Sequence, residues 1–66
     1  MKPQKCKSYN IRHVPNKQLG EKTSYYVGIA ECLSDFSYGG FYLFRLKNGD
    51  SGMFSQEDII EEQNNL

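Results

Sequence analysis

The sequence predicts a small all-β barrel of about five short strands, with a 3-10 turn before the last one. Three observations lead to it. Apolar and polar residues alternate with a period of two in several short segments of the 66-residue chain. Those segments are punctuated by Pro15, Gly39-Gly40 and Asn48-Gly49, the residue types that terminate strands or form turns. The apolar run after Ser55 is only Ile59-Ile60, too short for an amphipathic helix.

The elements follow in chain order. Residues 1–7 are polar and lysine-rich and read as a flexible N-terminal segment, leaving 8–66 as a single small domain. "SYNIRHV" (8–14) places Tyr9, Ile11 and His13 on one side and Asn10 and Arg12 on the other, a short strand that Pro15 ends. "PNKQLGEKTS" (15–24) reads as a long polar loop. "YYVGIAECL" (25–33) is the next strand, with Tyr25, Val27, Ile29 and Leu33 on one face and the smaller Gly28, Ala30 and Cys32 with Tyr26 on the other. Gly28 inside it suggests a bulge or bend. "SDFSYGG" (34–40) is a loop, and "FYLFRLK" (41–47) is the strongest strand in the chain.

Asn48-Gly49 predicts a type I′ hairpin turn, with "DSGMFS" (50–55) returning antiparallel. A two-residue loop pairs Lys47 with Asp50, Arg45 with Gly52, Phe44 with Met53, Leu43 with Phe54 and Tyr42 with Ser55. Tyr42, Phe44, Leu46 and Met53 then form the core face. Phe41, Leu43 and Phe54, beside Arg45 and Lys47, form a second face, either covered or available for binding. Ser55-Gln56-Glu57-Asp58 has the S-x-x-D form of a helix start, in which the hydroxyl accepts a backbone N–H. A 3-10 turn and a closing strand, Ile59 to Glu62, fit the β-branched isoleucines. The alternative is an irregular sheet with a helix over 56–63.

The order of strands and turns, and "FYLFRLKNGDSGMFSQEDI" in particular, resembles the SH3-like small-barrel superfamily in its Tudor- and KOW-type pattern, over about residues 8–62. The resemblance implies an SH3-like barrel. It also implies that the loops and open strand face bind peptides, modified side chains or nucleic acid.

Size and charge narrow the function. A chain this short has little room for both a core and a deep substrate cavity, and no enzyme is expected. Lys plus Arg number 8 and Asp plus Glu number 8, which disfavours strong phosphate contact. The first third is basic and the rest acidic, and the two parts are expected to pair. No signal peptide or membrane span is recognisable, so a cytoplasmic location with reduced Cys6 and Cys32 is expected. His13 is the only histidine and reads as a solvated edge residue; no metal site, catalytic residue or cofactor is expected. Glu57, Asp58, Glu61 and Glu62 read as a solvated face. "NGDSGMFSQEDI" lacks the ligand spacing of a calcium loop.

Five tyrosines and four phenylalanines are more than so small a core can bury completely. Phe36 and Tyr38 lie in a polar glycine loop. The candidate binding residues are therefore Phe36, Tyr38, Phe41, Leu43, Phe54 and Arg45. The expected function is a non-catalytic binding or adaptor protein that recognises another protein. Its size would suit a phage or mobile-element protein acting on a host factor. The alternative is a small barrel that binds single-stranded nucleic acid by stacking aromatics beside Lys and Arg. Oligomeric state is not legible in the sequence.

Overall fold

The computed structural model describes residues 2–21 and 25–63. Met1, residues 22–24 of the first loop and residues 64–66 lie outside the described residues. Within them five antiparallel strands form one sheet: β1 Ser8–His13, β2 Tyr26–Cys32, β3 Phe41–Arg45, β4 Ser51–Ser55 and β5 Ile59–Glu62, in the order β4-β3-β2-β1-β5. Two 3-10 turns, Lys17–Leu19 and Gln56–Asp58, complete the secondary structure. No helix among the described residues is long and apolar enough to cross a membrane.

The expected barrel is not closed. β4 and β5 form the two edges of the sheet and are not hydrogen-bonded to each other. β2 pairs with β1 along six residues, from Glu31 opposite Ser8 to Tyr26 opposite His13. Its ladder to β3 spans only Glu31–Arg45 and Cys32–Phe44. At this end of β2, Glu31 has a partner on both sides, Ser8 and Arg45. The turn Gln56–Asp58 carries the chain from the β4 edge to the β5 edge in three residues.

The core lies on one face of the sheet. Tyr9, Ile11, Ala30, Cys32, Tyr42, Phe44 and Phe54 are buried, with Tyr26, Leu46 and Ile59 packed against them. The period-two faces read from β1, β2 and β3 are those observed. Phe54 is the hub of the aromatic packing. Its ring lies 5.7 Å from Phe44, 5.7 Å from Tyr26 and 5.6 Å from His13, within the range of favourable ring contacts.

The β3–β4 hairpin differs from its expected register by one residue. Leu43 pairs with Met53, Phe44 with Gly52 and Tyr42 with Phe54. The loop holds three residues, not two. Leu46 N donates to Asp50 O (2.6 Å) and Gly49 N to Leu46 O (3.0 Å), with Gly49 at φ 93. This is a turn followed by a glycine bulge, the commonest three-residue hairpin. Asn48 side-chain bonds to Asp50 at both N–H and carboxylate close it. Because side chains alternate, a one-residue shift exchanges the faces of β4: Phe54 enters the core and Met53 faces out.

The type I′ geometry appears one loop earlier. Tyr38 N donates to Phe41 O (2.7 Å) and Phe41 N to Tyr38 O (3.1 Å). The two residues between, Gly39 and Gly40, have φ 59 and 91, a pair of left-handed values that only glycine adopts without strain.

Three further features depart from the sequence reading. Gly28 is not a bulge against β1, whose register runs through it unbroken. It makes room for the Tyr26 ring, since a Cβ there would meet Tyr26 Oη at 3.3 Å. The irregularity falls on β5 instead, between the Asn10–Glu61 and Ile11–Ile59 pairs. Ser55 makes no side-chain cap bond at the second 3-10 turn, and the Asp58 carboxylate meets His13. Residues 2–7, read as flexible, carry definite contacts. Pro3 is fully buried, Gln4 N donates to Tyr9 Oη (2.8 Å), Cys6 N donates to Cys32 O (2.9 Å) and Cys32 N to Lys7 O (2.8 Å).

Candidate functional site

The aromatic turn begins at the end of β2. Cys32 is buried, and its Sγ donates to Ser34 O at 3.1 Å. Burial pushes its thiol above the ordinary value, partly offset by the backbone of Ser34, so it stays protonated at neutral pH. Ser34 is also buried. Its hydroxyl donates to Phe36 O (3.1 Å) and accepts from Leu43 N (3.3 Å). This hydroxyl ties the loop to β3 at its base.

Beyond Ser34 the chain turns outward. Phe36 and Tyr38 are 59% and 50% exposed, and Phe41, just past the glycine turn, is 47% exposed. The Phe36 and Tyr38 rings contact each other at 4.9 Å with a 59° tilt. Three aromatic residues are therefore presented by six consecutive positions whose backbone is fixed by a two-residue hairpin and the Ser34 bonds. Aromatic side chains supply large contact area for few rotatable bonds.

A groove of about 520 Å³ adjoins this turn. Val14, Leu19, Gly40 and Phe41 contribute apolar walls, and Glu57 and Asp58 line the opposite side. Asn16 caps the 3-10 turn Lys17–Leu19 through its side chain, and Gly20 closes it in the left-handed region. That turn holds Leu19 out toward the groove.

The other candidates fall in different places. Leu43 is half-buried on the outer face opposite Met53. Arg45 is exposed and lies 3.8 Å from Glu31, with both side chains largely in solvent, so the pair adds little stability. Phe54 is only 5% exposed and cannot present a surface. Its placement on the binding face rested on the two-residue hairpin loop. Phe36, Tyr38 and Phe41 stand together on the turn; Leu43 and Arg45 follow Phe41 along the outer face of β3, and Phe54 is in the core.

Sequence reasoning missed His13. It is 9% exposed, and its Nδ1 contacts Asp58 Oδ2 at 2.9 Å. Nε2 lies 4.0 Å from Glu21 Oε1, and the other oxygen of Glu21 accepts Asn16 N at 2.7 Å. The imidazole thus joins β1, the first loop and the second 3-10 turn. A signal was present: His13 shares a face with Tyr9 and Ile11, and a buried imidazole needs a polar partner. The acidic C-terminal run is likewise partly engaged, with Glu61 accepting from Asn10 (3.0 Å) and Glu62 3.8 Å from Lys7. Among the described residues, no group of three His, Cys, Asp or Glu side chains is placed to hold a metal ion. No protein-family model, curated protein or solved structure matches this chain.

Proposed function

We propose that the chain is a non-catalytic binding or adaptor protein that recognises another protein through the aromatic turn at 36–41. The observation that carries this reading is the exposure of Phe36, Tyr38 and Phe41 on one backbone-fixed turn. Exposed aromatics in a fixed geometry lose little entropy on binding, and such residues dominate interface hot spots. The groove beside Phe41 supplies a concave continuation of the same surface. The reading places the protein in the cytoplasm, where both of its cysteines, free in this structure, stay reduced.

The same proposal takes the open sheet as a variant of the SH3-like small barrel. Two features support it. The strand order β4-β3-β2-β1-β5 puts the first and last strands side by side. A 3-10 turn links β4 to β5.

The test uses immobilised wild-type protein and a Phe36→Ala, Tyr38→Ala double variant, each exposed to lysate of the native host. A protein retained by the wild type and lost from a folded double variant is the expected result. A single-stranded oligonucleotide is offered in parallel at physiological salt and is expected not to bind. Micromolar oligonucleotide binding that weakens steeply with salt would transfer the function to nucleic acid.

A further inference from the structure

The two edges of the sheet are not alike. β5 is guarded: Glu61 and Glu62 project from it, and Glu62 meets Lys7. β4, Ser-Gly-Met-Phe-Ser, carries no charge and no proline. Those are the devices by which natural sheets block edge-to-edge pairing. The hydrogen bond from Leu46 N to Asp50 O fixes which β4 groups point where. Alternation makes Phe44–Gly52 and Tyr42–Phe54 the bonded pairs with β3 and turns the N–H and C=O of Ser51 and Met53 and the N–H of Ser55 outward, the Ser55 carbonyl being taken up by the 3-10 turn that it caps. What this edge offers is a row of backbone donors and acceptors, which only another extended chain can match.

We infer that the β4 edge pairs with the β4 edge of a second copy of this chain, antiparallel about a two-fold axis at Met53. In that register Met53 meets Met53 of the other copy and exchanges both backbone bonds with it, and Ser51 meets Ser55, whose N–H donates to the Ser51 carbonyl. No like charges oppose one another along the strand. The antiparallel arrangement also brings the Lys47 end of one copy to the Glu57 end of the other. The nearby acids are already occupied, Asp50 by Asn48 and Asp58 by His13. A net charge of +0 leaves no long-range repulsion between copies. Beside the edge, a groove of about 490 Å³ lined by Tyr25, Leu46 and Met53 gives the approaching strand apolar contact. Tyr25 is 62% and Met53 43% exposed. Stable dimers bury about 800 Å² per partner, and five strand residues with these side chains fall short of that. The pair is accordingly a weak one, dissociating at roughly 10 µM to 1 mM.

Sedimentation of the full chain across that concentration range tests the inference, with two variants beside the wild type. Met53→Lys sets two cations against each other at the axis. Met53→Pro deletes an outward N–H that β3 does not use, a substitution that edge strands tolerate. The expected result is a wild-type monomer–dimer equilibrium weakened at least tenfold in both variants. Amide exchange of the wild type provides a reading that needs no variant: the Met53 and Ser55 amides gain protection as concentration rises. A wild type that stays monomeric throughout overturns the inference. So does a dimer that both variants retain, or one that forms without protecting those two amides.

Discussion

At the scale of single residues, two positions do the same job with different side chains. At Gly49 and at Cys6 one residue in the left-handed region donates to a carbonyl across the ladder. In each case the residue opposite donates back to the next carbonyl in the chain. Gly49 has φ 93 and Cys6 has φ 73. Only glycine takes that conformation freely; other L-residues lose about 1–2 kcal/mol. Cys6→Gly is therefore expected to stabilise the protein by about 0.5–1 kcal/mol, after the greater entropy of an unfolded glycine is subtracted. A thermal melt under reducing conditions reads this as a rise of a few degrees. Gly49→Val should do the opposite and cost about 1–3 kcal/mol, since β-branched residues are poorly tolerated at positive φ. His13 acts instead through its side chain, whose Nδ1 lies 2.9 Å from Asp58 Oδ2. Removing that carboxylate with Asp58→Ala is expected to cost about 1–3 kcal/mol in a urea titration.

At the scale of elements, the strands were legible because their alternation is strong. Tyr9 and Ile11, Ala30 and Cys32, Tyr42 and Phe44 all face the core as their spacing requires, and the 3-10 turn and closing strand fall at Gln56–Asp58 and Ile59–Glu62 as expected. β4 was not legible. In "SGMFS" the apolar residues Met53 and Phe54 are adjacent, so alternation fits either face, and only the length of the preceding loop decides. Asn48-Gly49 suits a two-residue turn and equally a three-residue turn with Gly49 in the bulge. The choice between them moved Phe54 from surface to core. The exposed turn was legible in part. Aromatic residues among glycines and polar neighbours marked Phe36 and Tyr38, but the buried Ser34 that ties the turn down gives no sequence signal. Ser34→Ala is expected to leave the part-buried Leu43 N–H and the Phe36 carbonyl without their Ser34 hydroxyl partner. Loss of about 1–2 kcal/mol and faster amide exchange at Leu43 would register it.

At the scale of the whole molecule, a small open sheet is held by one aromatic cluster and by contacts that join the two ends of the chain. Lys7 meets Glu62, Asn10 meets Glu61 and His13 meets Asp58, so the basic front and acidic back of the sequence partly pair within the fold. With so little interior, Phe44→Ala should cost about 3–5 kcal/mol, a large fraction of the stability of any domain this size. The aromatic turn stands outside that economy, and its separation from the core is the central claim. It is tested most directly by one comparison: the melting temperature and the partner affinity of the Phe36→Ala, Tyr38→Ala double variant against the wild type. The account predicts a cooperative melt at nearly the wild-type temperature, together with affinity lowered about tenfold or more. A double variant that unfolds, or that binds its partner as the wild type does, would contradict it.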